Sequence, residues 1–481
     1  MSPGPARPLP EDPQVSRRRA TTALAGMALS ATLRDAKAAG PSAGTAVGGA
    51  FVPARPEAAG PAATDVLYPH GFQLKGLASD PILRLERPRA KANDLATPSY
   101  VDPAFGTRIY KATEAADFKD AVHVRHDYSR RQAFNADTTR MLATTSNGYW
   151  VLYDANTFVR LNRAGTDGAL AGLGGDSEAI WHPSEPRRLF WNQGLVWYQK
   201  DVESDRDTVM ADFTRRLPWP GATRVWTKSE GGCSADGRYW AFMATSYDER
   251  TQRNAVYGLL SYDRHDDRIL GMLDAAAFGG AFPDHVGITP SGRFAVPSWA
   301  HDKSRGTRAY PLDFSSSRQL HVMSEHSDLA FGPDGEDVYV FTDYERGAIR
   351  AMDVATGAAY DLLPLYPRVG SSYAAHVSGQ AFGRPGWAVI STYADSAGYG
   401  ASVPDPKIEP MYRKVMLVEL RPKGRQYAVA HTRTNKAYGG YFGEPQASAS
   451  RDGSRIVFAS NFDDGGPPSS YVIIVPTTVY R

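Results

Sequence analysis

Cysteine is almost missing from this chain. Cys233 is the sole cysteine in 481 residues, which excludes an intrachain disulfide framework and any metal site built from a cysteine cluster. Its plain reading is a buried, inert thiol. An excess of charge of one sign is missing too. The 54 Lys and Arg stand against 52 Asp and Glu, a net +2. No basic run is interleaved with aromatics, so the chain is not a dedicated nucleic-acid binder. No apolar run is long enough to span a bilayer. The patterns H-E-x-x-H, G-x-S-x-G and the phosphate-binding P-loop are absent, which removes the familiar zinc-protease, serine-hydrolase and nucleotide chemistries.

What the chain does have is turns and strand formers. It carries 25 Tyr, 9 Trp, 45 Gly and 34 Pro, a composition that favours strands and tight turns over helices. Residues 325–357 show the organising unit. A polar lead-in (Glu325, His326, Ser327, Asp328) runs into an apolar strand, and the turn Pro333-Asp334-Gly335 reverses the chain. Val338, Val340 and Phe341 mark the next strand, 348–354 a third, and Thr356-Gly357 another turn. Asp-Gly between alternating apolar runs is a hairpin signal, and a unit this small must stack on copies of itself. Equivalent turns centre on Asp137, Ser184, Asp236, Ser291, Asp334, Pro385 and Asp452. Each precedes a short strand: 140–144, 188–191, 239–243, 294–297, 338–341, 387–391 and 456–459. Seven such turns, at a spacing of roughly fifty residues, predict an all-β fold, a seven-bladed β-propeller. An open ring would expose strand edges. The orphan strand at 106–111 is therefore expected to close the last blade beside 471–475. One short helix is expected, over 205–216.

The first residues differ in kind. Ser16-Arg17-Arg18-Arg19, a short weakly apolar run and the small residues Ala36-Lys37-Ala38 read as an export signal over 1–38, similar to the twin-arginine type. An Ala/Gly/Pro-rich linker follows over 39–63, then an N-terminal extension over 64–97 and the propeller over 98–481. The mature protein is expected in the periplasm or outside the cell.

In a propeller the first strand of each blade lines the central channel. Counting back six residues from the turn residue gives Arg131, Glu178, Glu230, His285, Asp328 and Gln446, with His376 further back in the sixth blade. His326 lies two before Asp328 and so faces the same way. Inner strand ends are often polar merely because they are wet, yet this collection of histidines, acids and an arginine would converge on one pocket. A second polar cluster, His-Val-Arg-His-Asp-Tyr-Ser-Arg-Arg-Gln, fills 123–132 before the first turn.

His126-Asp127-Tyr128-Ser129-Arg130 running into Phe134-Asn135-Ala136-Asp137 resembles the first blade of bacterial propellers related to oligogalacturonate and ulvan lyases. So do Glu230-Gly231-Gly232, Pro283-Asp284-His285, Glu325-His326-Ser327-Asp328, His376-Val377-Ser378-Gly379 and Glu444-Pro445-Gln446. The resemblance implies cleavage of uronic-acid polymers or oligomers by β-elimination. That chemistry needs a cation on the carboxylate, a base for the C5 proton and an acid for the leaving oxygen. The implied roles are His126 as base, Tyr128 as acid, and Arg130 or Arg131 on the carboxylate. Glu230, Asp328 and Trp150 are the implied substrate contacts. His285, His326, His376 and Gln446 are implied holders of a divalent ion, and such ligands suit Mn or Zn. Asn147 and Gln446 stand where many relatives carry histidine. A non-catalytic propeller that binds acidic sugar or a protein partner is therefore the alternative.

Overall fold

A computed structural model of the chain describes residues 65–68, 71–161, 170, 172–174, 177–299, 302–322, 326–366, 373–395, 410–434 and 440–480. All of them fall in one compact unit, Pro56–Arg481. The export signal and linker expected over 1–63 lie outside the described residues, as does Glu325. Among the described residues the elements are strands and short 3-10 helices, and no helix is long and apolar enough to cross a membrane.

The turn chemistry acts where the sequence puts it. Gly237, Gly292, Gly335, Gly386 and Gly453 all have φ between 70° and 86°, the left-handed region that a Cβ disfavours. Each turn lets an apolar alternating strand fold back on its predecessor. In the unit first read from sequence, Ser327–Phe331 pairs antiparallel with Asp337–Asp343, then Ala348–Asp353 and Ala359–Pro364 follow. The fourth strand lies beyond Gly357, where the sequence reading stopped.

The other repeats build alike. Four-stranded antiparallel sheets start at Ile180–Trp181, Arg224–Trp226, His285–Ile288 and Ser327–Phe331. A fifth sheet, starting at Tyr373–Ser378, gains Lys75–Gly76 at its outer edge. The eight-stranded sixth sheet joins the strands around Arg140–Thr145 to those around Arg455–Ser460, through one parallel bridge between Ser469 and Val124. The helix expected over 205–216 is instead the strand Arg206–Asp212, paired with Val196–Asp201. Thr208 and Val209 are β-branched, and an available sheet edge outweighs a weak helical pattern.

The strand foreseen at 106–111 is Arg108–Lys111, and it pairs with Ser469–Ile474 from the other end of the chain. Ile109 lies opposite Ile473 and is fully buried. The N-terminal extension also ties itself to the outside of the last sheets. Tyr68 donates to the Ile474 carbonyl at 2.7 Å, and Lys414 pairs with Asp80 at 2.7 Å.

Alternate residues of each strand pack against different neighbours, as the two-residue period requires. Met141 and Ala143 join a buried cluster with Val457, Val472 and Ile474. Leu142, between them, joins one with Trp181 and Leu189. Similar clusters link each sheet to the next, from Trp197 and Trp240 through to Ile109 and Val389. Ile109→Ala should cost about 2–5 kcal/mol, the usual range for truncating a buried aliphatic side chain. An unchanged urea midpoint would show that the paired ends contribute nothing.

Candidate functional site

The starts of the first strands bring charged side chains together around Arg130. Its Nη1 lies 2.6 Å from Glu230 Oε2 and 2.7 Å from His285 Nε2, while Nε donates to the Ser327 carbonyl and Nη2 to Ser327 Oγ at 3.1 Å. One buried guanidinium thus joins segments from four different repeats. Burial opposes its charge, but the Glu230 carboxylate beside it prevails and holds its pKa above the ordinary value. Burial pushes Glu230 up, with Arg130 opposing. Asp328 is raised to about 6 by burial, against the pull of Gln380 and the Gly379 N–H. His285 is lowered to about 4 by burial and by Arg130, so it is neutral at pH 7.

Next to this group lies an ion pair that the sequence reading missed. Lys228 Nζ meets Asp284 Oδ1 at 3.1 Å, and Asp284 faces His285 at 3.4 Å. Burial opposes the Asp284 charge, but Lys228 and His285 hold its pKa well below the usual carboxylate range. Lys228 and Ser229 both take φ above 60°. Two consecutive non-glycine residues in that region bear a backbone cost that is characteristic of functional sites.

A second group of rings stands beside the first. The Tyr128 ring lies 6.0 Å from the Arg130 guanidinium and 5.4 Å from the His376 ring. His376 is 4.5 Å from the half-buried His326 ring, stacks on Tyr393 at 5.1 Å, and meets Glu444 Oε2 through Nε2 at 2.9 Å. Its Nδ1 has no hydrogen-bond partner among the described residues. Burial lowers the His376 pKa although Glu444 opposes, and burial raises Tyr128 well above an ordinary phenol.

Other expected residues are engaged elsewhere. His126 is fully buried; Nδ1 faces Ser470 Oγ at 3.2 Å, and Nε2 faces the Gln446 carbonyl at 2.7 Å. Burial and Arg125 lower its pKa to about 3. Both ring nitrogens are spent on a seam between strands, which leaves none to take a substrate proton. Gln446 is fully buried, and its amide oxygen accepts from Arg125. Trp150 packs with Leu142 and Leu152 and donates to the Ser177 carbonyl at 3.1 Å. Arg131 is buried, with Nε and Nη1 donated to the carbonyls of Ser229 and Gly231. A cavity lined by Arg130, Arg131, Glu230, His285 and Asp328 extends to the turn-side residues Trp181, Phe382 and Arg451.

No protein-family model matches the chain, and no curated protein matches it in sequence. Solved structures do match. The crystal structure of an oligogalacturonate lyase from Vibrio parahaemolyticus aligns with a TM-score of 0.51 at 13% identity, over 79% of this chain and 97% of that one. An oligogalacturonate lyase in complex with manganese aligns with a TM-score of 0.52 at 15% identity, over 79% and 96%. The fold is that of the oligogalacturonate lyases.

This propeller-type lyase fold contains a donor set of the right kind for a divalent ion, at a place that differs from the sequence reading. Glu230, Asp284 and His285 each present a ligand atom, all within 4.8 Å of one another. One imidazole and two carboxylates suit Mn or Zn. Arg130 and Lys228 already supply positive charge there, so a metal would compete with those side chains. Of the four residues implied by resemblance, only His285 belongs to this lyase-fold cluster. His326 and His376 form their own pair, and Gln446 serves Arg125. Asp284 and Glu444 stood inside the quoted motifs without a role; Lys228 carried no signal, because its placement depends on the left-handed backbone before Glu230.

Proposed function

We propose that the protein is a seven-bladed propeller lyase that cleaves uronic-acid-containing glycans by β-elimination. The ring count is supported by seven buried clusters among the described residues, each joining one group of strands to the next, with Tyr110 and Val472 packed against Met141 between the last group and the first. Pairing of Arg108–Lys111 with Ser469–Ile474 supports closure by an N-terminal strand.

The observation that carries the activity is the contact of Tyr128, His326, His376 and Glu444 beside the Arg130–Glu230–His285 group. His376 replaces His126 as the base. Burial keeps it neutral, Glu444 orients the ring through Nε2, and an imidazole in that state can accept the C5 proton. Tyr128 keeps its proton and is the acid for the leaving oxygen. Lys228, released from Asp284, meets the substrate carboxylate, since Arg130 is committed to Glu230 and Ser327 and Arg131 donates Nε and Nη1 to backbone carbonyls. A divalent ion held by Glu230, Asp284 and His285 would supply further polarisation of that carboxylate.

The test is ultraviolet absorbance on a panel of uronic-acid polysaccharides and oligomers. β-Elimination creates a conjugated double bond that absorbs there. Growth of absorbance on at least one substrate is the expected result. Binding of the same glycans without absorbance would replace this reading with that of an acidic-sugar binder.

A further inference from the structure

Away from the glycan site, the N-terminal extension covers a group of buried donors that lack an acceptor. Arg433 is 3% exposed, yet only Nη1 is used, donating to the Leu83 carbonyl at 2.7 Å. Its Nε and Nη2 are buried with no hydrogen-bond partner among the described residues. Together these two atoms form one edge of the guanidinium fork, the edge that grips an anion with two bonds. The hydroxyls of Tyr100 and Tyr471 are likewise buried; that of Tyr100 faces Arg433 and that of Tyr471 faces Arg87, neither in a well-formed hydrogen bond.

These side chains form one cluster. The Arg433 guanidinium lies 6.0 Å from the Tyr100 ring centre and 5.5 Å from that of Phe462. The Tyr100 ring is 6.3 Å from Tyr471 and 5.4 Å from Phe462. Burial raises the pKa of Tyr100 well above the ordinary value and that of Tyr471 to about 12, so both stay protonated. Neighbouring acids are engaged: Asp463 pairs with Arg413 at 2.6 Å, Asp464 with Arg87 at 2.7 Å, and Asp102 accepts from the His431 and Ala104 N–H groups. A guanidinium can only donate, and a buried donor left unmet is costly. What the Nε and Nη2 edge of Arg433 lacks among the described residues is an anionic acceptor. A cleft lined by the cations Arg84, Arg87, Arg89 and Arg433 and by the acids Glu86, Asp463 and Asp464 reaches Arg433.

We infer that this cleft is a binding site for a small anion, a halide or a small oxyanion, held by Arg433 with the hydroxyls of Tyr100 and Tyr471. The site joins the extension (Leu83), the strand Tyr100–Val101, the strand region after Gln426–His431 (Arg433) and Ser469–Ile474 (Tyr471). Anion occupancy therefore strengthens the attachment of the extension to the last two sheets.

Bromide is the probe. Crystals of the full chain soaked in sodium bromide should show an anomalous peak within hydrogen-bond distance of Arg433. In solution, bromide should raise the melting temperature above its value in sodium gluconate at equal ionic strength, because gluconate is too large to enter. Arg433→Met, and Tyr100→Phe combined with Tyr471→Phe, should abolish that difference. Should Arg433→Met fail to fold, the double tyrosine variant decides, since it removes two oxygens and leaves the packing. An ordered water only, with no anomalous peak, overturns the proposal. So does a bromide response of equal size in the wild type and the double variant.

Discussion

His376→Ala should lower β-elimination by about 10²–10⁴-fold, the range for losing a positioned proton-transfer group. The fold should survive, because the ring contacts Tyr128, His326 and Tyr393, which lie outside the apolar clusters between sheets. The pH profile provides a second readout. A base must be unprotonated to act. Burial lowers the His376 pKa, so the acid limb of kcat/KM should lie below pH 6.5, the ordinary imidazole value of about 6.5. His126→Ala provides the contrast. It removes the hydrogen bonds to Ser470 and Gln446, and should destabilise the protein with a smaller loss of activity per folded molecule. If His376→Ala retains full activity and His126→Ala retains none while still folded, the base is His126 and the assignment made above is wrong.

The second large effect is on stability. Arg130→Met should cost about 3–5 kcal/mol, as expected when one partner of a buried ion pair is removed. The variant leaves Glu230, together with Asp328, in a site that has lost its guanidinium. The sign with pH follows from the direction of the shifts. Arg130 lowers the folded pKa of both acids, so its loss raises pKa values that burial has already raised. A carboxyl group with a raised folded pKa binds its proton more tightly when folded, and its contribution to stability falls as pH rises through that value. The cost of Arg130→Met should therefore be greater at pH 8 than at pH 5. Urea midpoints of wild type and variant at the two pH values measure it, and an equal cost at both would show that the carboxylates are not held by Arg130.

Much of the strand order is legible without coordinates. Turn glycines at 237, 292, 335 and 453 need left-handed backbone, and the sequence marks them with Asp or Ser just before. Alternation after each turn marks the strand. Even the pairing of 108–111 with the last strand follows from there being one strand too many at the front and one edge too many at the back. These are local signals, and they repeat, so each copy supports the others. Arg206–Asp212 was misread because a single weak pattern had no such support.

The candidate site is a different matter. Repeat register brought Arg131, Glu230, His285 and Asp328 to one cavity, because equivalent positions in successive repeats face the same space. It could not say which nitrogen or oxygen remains available. His126 is lost to the site through Ser470 and Gln446, 344 and 320 residues away in sequence, and Arg130 is committed to Ser327 and Glu230. Lys228 reaches Asp284 only because two left-handed residues turn the chain there. The sequence by itself determined the β architecture, since hairpins depend on neighbours within a few residues. Only the tertiary structure decided which polar groups are spent on holding the strands together and which are left for chemistry, since a buried donor or acceptor is satisfied by whatever the fold brings beside it.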